Sequence, residues 1–101
     1  MNLDGALALI GFSQKGHMLA AGDANVEAYL DKKSVYLLLL ATDLSEQKKI
    51  GWKMRAEEMG IPIYELTDKL TMGLAVGMSP RVVLAITDGK MAKAIEAKIN
   101  E

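Results

Sequence analysis

His17 is the one histidine among 101 residues, and there is no cysteine. Disulfides, thiolate nucleophiles and cysteine-ligated zinc are therefore excluded. A metal site on His17 would need converging carboxylates, and none stands beside it at ligand spacing, so His17 reads as a loop residue. Ser13, Ser34, Ser45 and Ser79 could in principle be nucleophiles. None sits in Gly-x-Ser-x-Gly, and no acid is placed in sequence to orient the lone histidine. Phosphate-cradling loops are missing too: neither Gly-x-Gly-x-x-Gly nor Gly-Lys-Ser/Thr occurs. The sequence thus predicts a protein that is not an enzyme and carries no cofactor.

Other residues suit binding better than catalysis. Asp43 and Asp88 each follow an apolar run and a threonine, at the strand ends where α/β proteins place ligands. A helical pattern follows each, and capping that helix accounts for them without a ligand. Lys48, Lys49, Lys53 and Arg55 gather on one stretch, with Glu46, Glu57 and Glu58 among them, as on a solvated mixed-charge face. Gly73 and Gly77 bracket "GLAVG", a spacing that permits close packing and then a helix stop. Gly22 opens a helix, and the free N–H groups of a helix start suit an anion. Around it, Ala20, Ala21, Asp23 and Ala24 bring no positive charge. A second loop, "GMSPR" at 77–81, has turn chemistry and a single cation.

These residues need a frame to hold them. Leu3, Ala6, Leu7, Leu9, Ile10 and Gln14 follow helical spacing over 3–15, with Gly16 at the stop. A short extended piece near 18–21 leads to Gly22 and a second helix, which ends at the polar break 32–34. Residues 35–41 and 81–86 are apolar without alternation, the mark of strands covered on both faces. Between them, 42–46 carries cap signals for a helix with Trp52, Ala56 and Met59 on one face and a stop at Gly60. Strand 61–66 follows, with Pro62 near its start, then a short helix opened by Thr67 and Asp68. Thr87 and Asp88 open a last helix lined by Met91, Ile95 and Ile99. Strands alternating with helices predict an α/β fold, a three-layer α/β/α sandwich.

At this length one domain spanning 1–101 is expected. Half of the residues are hydrophobic and a quarter are charged, an ordinary globular composition. Twelve basic residues against thirteen acidic give a net charge of −1, whereas nucleic-acid binders usually carry a basic excess. The apolar stretch 6–12 follows acidic Asp4 rather than a basic region, so no signal peptide is expected. The run 35–41 is far shorter than the roughly 20 residues of a membrane span. A cytoplasmic protein with no membrane contact is the expectation.

The order of the pieces resembles the kink-turn-binding ribosomal protein superfamily, most closely its small bacterial members of the YlxQ type. The residues that carry the likeness are "LIGFSQKG" (9–16), Gly22, "LLLLATD" (37–43), "GIPI" (60–63), "MGLAVG" (72–77) and "SPRVVLAITD" (79–88). The resemblance implies a mixed four-stranded sheet within the sandwich. It also implies that the Gly22 helix start and the loop of Met78, Ser79, Pro80 and Arg81 lie side by side as the RNA surface. In such proteins a Gly-x-Asn-Glu-x-x-Lys pattern begins at that glycine. Its polar residues read base edges, and the second loop packs apolar atoms on a protruding nucleotide. Counted without gaps from Gly22, past Asp23, the Asn, Glu and Lys positions fall on Ala24, Asn25 and Ala28. The glycine is kept and the side chains are altered.

The resemblance therefore implies a non-catalytic, ribosomal-protein-like partner of kinked or structured RNA whose contact motif is degenerate. The rival reading is a module that keeps the scaffold and uses the same loops for another protein. A basic face spanning Lys15, Lys32, Lys33 and Arg81 would favour RNA, and a neutral apolar patch a protein.

Overall fold

The computed structural model describes residues 1–101. The chain runs α1 (Leu3–Lys15), β1 (Leu19–Ala21), α2 (Asp23–Asp31), β2 (Leu37–Ala41), α3 (Glu46–Met59), β3 (Ile63–Thr67), α4 (Lys69–Ala75), β4 (Val83–Ile86) and α5 (Gly89–Ile99). Side chains cap four of the five helices: Asn2 on α1, Ser45 on α3, Asp68 on α4 and Asp88 on α5. Each supplies an acceptor to N–H groups that the helix itself cannot satisfy. Gly60 ends α3 in the left-handed region, at φ 66°, a conformation glycine adopts without a steric penalty.

The sheet order is β1-β4-β2-β3. β2 pairs with β3 in parallel, and β4 is antiparallel to both of its neighbours. The expected mixed four-stranded sheet is therefore present. Leucines at β2 alternate between faces. Leu37 and Leu39 join Ile10, Met72 and Ile95 under α1, α4 and α5. Leu38 and Leu40 join Val26, Leu30, Trp52 and Ala56 under α2 and α3. β4 divides the same way, Leu84 and Ile86 against Val83 and Ala85. This produces the three layers. It also explains why the two central strands lack a polar face: both sides of the sheet are covered.

The central strands are trimmed relative to expectation. β2 starts at Leu37, with Tyr36 before it 52% exposed, and β4 starts at Val83, with Val82 half-buried. Within those bounds every residue of both is buried. The edge strands differ. β1 has three residues, and the β2–β3 register shifts between Leu40 and Ala41.

The α3 charges are not all solvated. Lys49 is 7% exposed; its ammonium lies 3.0 Å from Glu65 on β3 and 3.3 Å from Glu46. Lys53 meets Glu65 at 2.8 Å, while Arg55 reaches Glu27 and Asp31 on α2. The cluster fastens α3 to its neighbours. Hydrogen bonds from Lys53 and Lys49 hold the Glu65 carboxyl below its usual range, and the Glu65 bond raises Lys49 above its own.

Candidate nucleic-acid interface

β1 runs toward Gly22 and β4 runs away from Arg81, so their antiparallel pairing brings the two loops together. Ala21 stands opposite Leu84, and the Gly22 N–H donates to the Val83 carbonyl at 3.0 Å. A Cβ on Gly22 would lie 3.8 Å from Arg81 Cδ and Nε, which is ordinary contact. Space is not what demands glycine here. The backbone does, at φ 89° and ψ 158°, a region open almost only to glycine.

α2 is the one helix without a side-chain cap. The N–H groups of Asp23, Ala24 and Asn25 are left without an intrahelical partner. Around them the side chains offer little. Ala24 and Ala28 are exposed methyls, and Asp23 is exposed with no cation within 4 Å. Asn25 turns back on the chain, its Nδ2 donating to the Ala21 carbonyl at 3.1 Å.

The second loop is held from beneath. The Met78 N–H donates to the Gly73 carbonyl at 2.9 Å. A Cβ on Gly73 would collide with the Ser79 carbonyl and press on that of Met78. The loop can lie this close only over a glycine. The Arg81 N–H donates to the Lys69 carbonyl at 3.1 Å. Its Nη1 donates to the Ser79 carbonyl at 3.0 Å, the Ser79 hydroxyl at 2.7 Å and the Pro80 carbonyl at 3.2 Å. These acceptors are neutral and no carboxylate lies within 4 Å, so the guanidinium is positioned without being neutralised.

Asp43 departs from the expected role. Ser45 caps α3, and Asp43 Oδ1 instead accepts from the Lys69 N–H at 3.0 Å, 26 residues away. The start of α4 is thereby tied to the end of β2. Asp68 takes the Thr71 N–H and the Thr71 hydroxyl, each at 2.8 Å. Those bonds, the N–H first, hold its carboxyl below the ordinary range. No local signal points from Asp43 to Lys69, which is why sequence reasoning missed the link. Gly73 was legible as a packing glycine, but its partner in the 78–81 loop was not. Asp88 does cap its own helix, its Oδ2 accepting from the Met91 N–H at 2.9 Å.

Lys15, Lys32, Lys33 and Arg81, which together would favour RNA, do not form one basic face. Gly22 and Arg81 stand where β1, β2 and β3 finish. Lys32 and Lys33 follow the far end of α2, and Lys15 precedes β1, whose first residue pairs with the last of β4. Three of the four cations therefore lie at the opposite end of the sheet. His17 is exposed in the turn after α1, at φ 58°. No group of three or more His, Asp or Glu side chains converges to hold a metal, and every buried side-chain polar atom has a hydrogen-bond partner. No helix is long and apolar enough to cross a membrane.

A family model described as the ribosomal protein L7Ae/L30e/S12e/Gadd45 family matches residues 6–96. No protein of curated function matches the sequence. Among solved structures, a protein of unknown function from Bacillus halodurans C superposes with a TM-score of 0.90 at 24% identity, over 95% of this chain and 97% of that one. The 15.5kD RNA binding protein of Giardia lamblia superposes with a TM-score of 0.79 at 17% identity, over 99% and 87% of the two chains. At such identities the superpositions establish a shared fold.

Proposed function

Since the chain belongs to the ribosomal protein L7Ae/L30e/S12e/Gadd45 family, we propose that it is a non-catalytic, cytoplasmic RNA-binding protein of ribosomal-protein type. Its chain forms one domain, of the small bacterial YlxQ kind within the kink-turn-binding branch. The RNA surface comprises Gly22, Asp23, Ala24, Asn25 and Ala28 with Met78, Ser79, Pro80 and Arg81. One observation supports this most: the uncapped start of α2 lies against an un-neutralised Arg81, through a glycine conformation that no other residue adopts easily. The Giardia lamblia neighbour, an RNA binding protein, points the same way.

The side chains make the RNA contact weak. Ala24 and Ala28 cannot hydrogen-bond a base edge, and Asn25 is engaged with Ala21. A hydrogen bond to a charged or base-edge partner is worth about 1.5–3 kcal/mol, so losing two lowers affinity by about a hundredfold to about ten-thousandfold. Asp23 suits the helix dipole and repels phosphate.

Titration of a labelled kink-turn RNA at several salt concentrations tests this. The native protein binds weakly. Ala24→Asn, Asn25→Glu and Ala28→Lys together restore tight binding, and the new lysine steepens the salt dependence by about one unit of slope. No gain from the triple variant would sink the RNA reading. It would leave the second reading, a protein-docking module, which the neutral methyls of Ala24 and Ala28 favour.

A further inference from the structure

At the end of the sheet away from Gly22, a groove of ≈ 440 Å³ lies between Tyr36, Pro62 and the first turns of α5. Tyr36 enters it half-exposed, at 52%. Its backbone is fixed by donation to the Ile86 carbonyl at 2.9 Å. One edge of its ring rests on Gly89, where a Cβ would stand 3.6 Å from ring carbons. Lys90 and Lys93 line the same groove. Being three apart on a helix, they share a face, with Cβ atoms about 5–6 Å apart. Neither has a carboxylate within 4 Å.

Two acids are close, each with one oxygen engaged by a neutral donor. Glu96 lines the groove, and its Oε2 accepts the Tyr64 hydroxyl at 2.7 Å. Asp88 spends its Oδ2 on the Met91 N–H. Lys33 lines a second groove with Glu58, Val35, Met59 and Ile61, near the start of β3, and there its charge faces a carboxylate. An exposed aromatic ring flanked by unpaired lysines is how proteins hold single-stranded nucleic acid: the ring takes a base and the ammonium groups take the backbone. With two lysines against the one carboxylate of Glu96, the lining carries a net positive charge, which favours an anionic strand.

We infer that this groove is a second RNA-contact site, taking a single-stranded segment with one base stacked on Tyr36 and its phosphates on Lys90 and Lys93. It is separate from the Gly22 surface and reads no kink. Its affinity is electrostatic and tolerant of sequence, in the range of about 10⁻⁶–10⁻⁴ M.

The test is anisotropy titration of a labelled uridine octamer between low and moderate salt. The native protein binds it. Tyr36→Ala weakens binding about five- to a hundredfold, while Tyr36→Phe keeps it. Lys90→Glu with Lys93→Glu weakens it at least tenfold and lowers the salt slope by about 1.4, for two phosphates on a single strand. Arg81→Ala lowers kink-turn binding and affects octamer binding far less than the lysine pair does. These positions are solvent-facing, and circular dichroism verifies that each variant folds. No octamer binding by the native protein overturns the inference, as does binding that Tyr36→Ala and the lysine pair leave intact. A loss confined to Arg81→Ala overturns it too. Octamer binding through Tyr36 without any kink-turn binding would overturn the Gly22 reading alone.

Discussion

Where β1, β2 and β3 finish, the exposed groups include main-chain donors, methyls, acids and two cations: the open start of α2, Ala24, Ala28, Asp23, Asp43 and Lys69, with Arg81 held among neutral carbonyls. At the other end stand Tyr36, Lys32, Lys33, Lys90 and Lys93, all side-chain groups on an exposed surface. The first end depends on backbone geometry, which survives the loss of side chains. The second depends on side chains alone and needs no special backbone. The same scaffold can therefore lose contacts at one end through substitution to alanine while keeping its shape. It can also gain contacts at the other by acquiring lysines.

The strongest way to break this contrast is Gly73→Ala. Its methyl would meet the Ser79 carbonyl, so the 78–81 loop must shift, at a cost of about 3 kcal/mol. Urea unfolding measures the loss. Kink-turn binding should fall with it, while uridine-octamer binding at Tyr36 persists. Gly22→Ala comes next. Its positive φ with extended ψ should cost about 2 kcal/mol, again read by urea unfolding, with Arg81 displaced only slightly because the added Cβ has room.

pH separates the two ends more gently. Asp68 has a lowered carboxyl, so its stabilisation is complete above the ordinary carboxylate range, about pH 4, and is lost as pH falls through its folded value. Tyr64 is raised, chiefly by its bond to Glu96. Its contribution is complete below about pH 10 and is lost as pH rises through its folded value. Acid should therefore loosen the start of α4 and the Glu65 cluster, and alkali the wall of the Tyr36 groove. Amide exchange followed residue by residue at each pH extreme checks this. The smallest effect is Gly51→Ala on α3, where nothing lies within 4 Å of the added methyl. It should raise stability by about 0.5–1 kcal/mol and leave both ends as they are.

Much of this was legible before the structure. The apolar runs at 35–41 and 81–86 identify the two central strands because a sheet covered on both faces has no polar side to show. Ser45, Asp68 and Asp88 mark helix starts by local chemistry. Tyr36 could not be told from its apolar neighbours, since its exposure depends on where the sheet begins. The adjacency of Gly22 and Arg81 rests on the register of β1 against β4, and three residues of β1 carry too little pattern to specify it. For that, the family resemblance was needed. Whether Lys15, Lys32, Lys33 and Arg81 share a face was hidden for the same reason: strand direction decides which cations share an end. Asp43 was misassigned because Ser45, two residues on, is the better cap, which freed the carboxylate for a helix distant in sequence.

The unequal edges of the sheet carry a consequence for self-association. A free strand edge is a row of unpaired donors and acceptors on which another chain can extend the sheet. β1 offers only three residues of such an edge, too few to template a stable added strand. On the other edge, the register of β3 breaks at Ala41, and Glu65 is clasped by Lys49 and Lys53 from α3. An incoming strand would meet a truncated template on one side and a broken, charged one on the other. Despite an interior rich in leucine, neither edge offers the long, flat template on which a sheet grows from one molecule to the next.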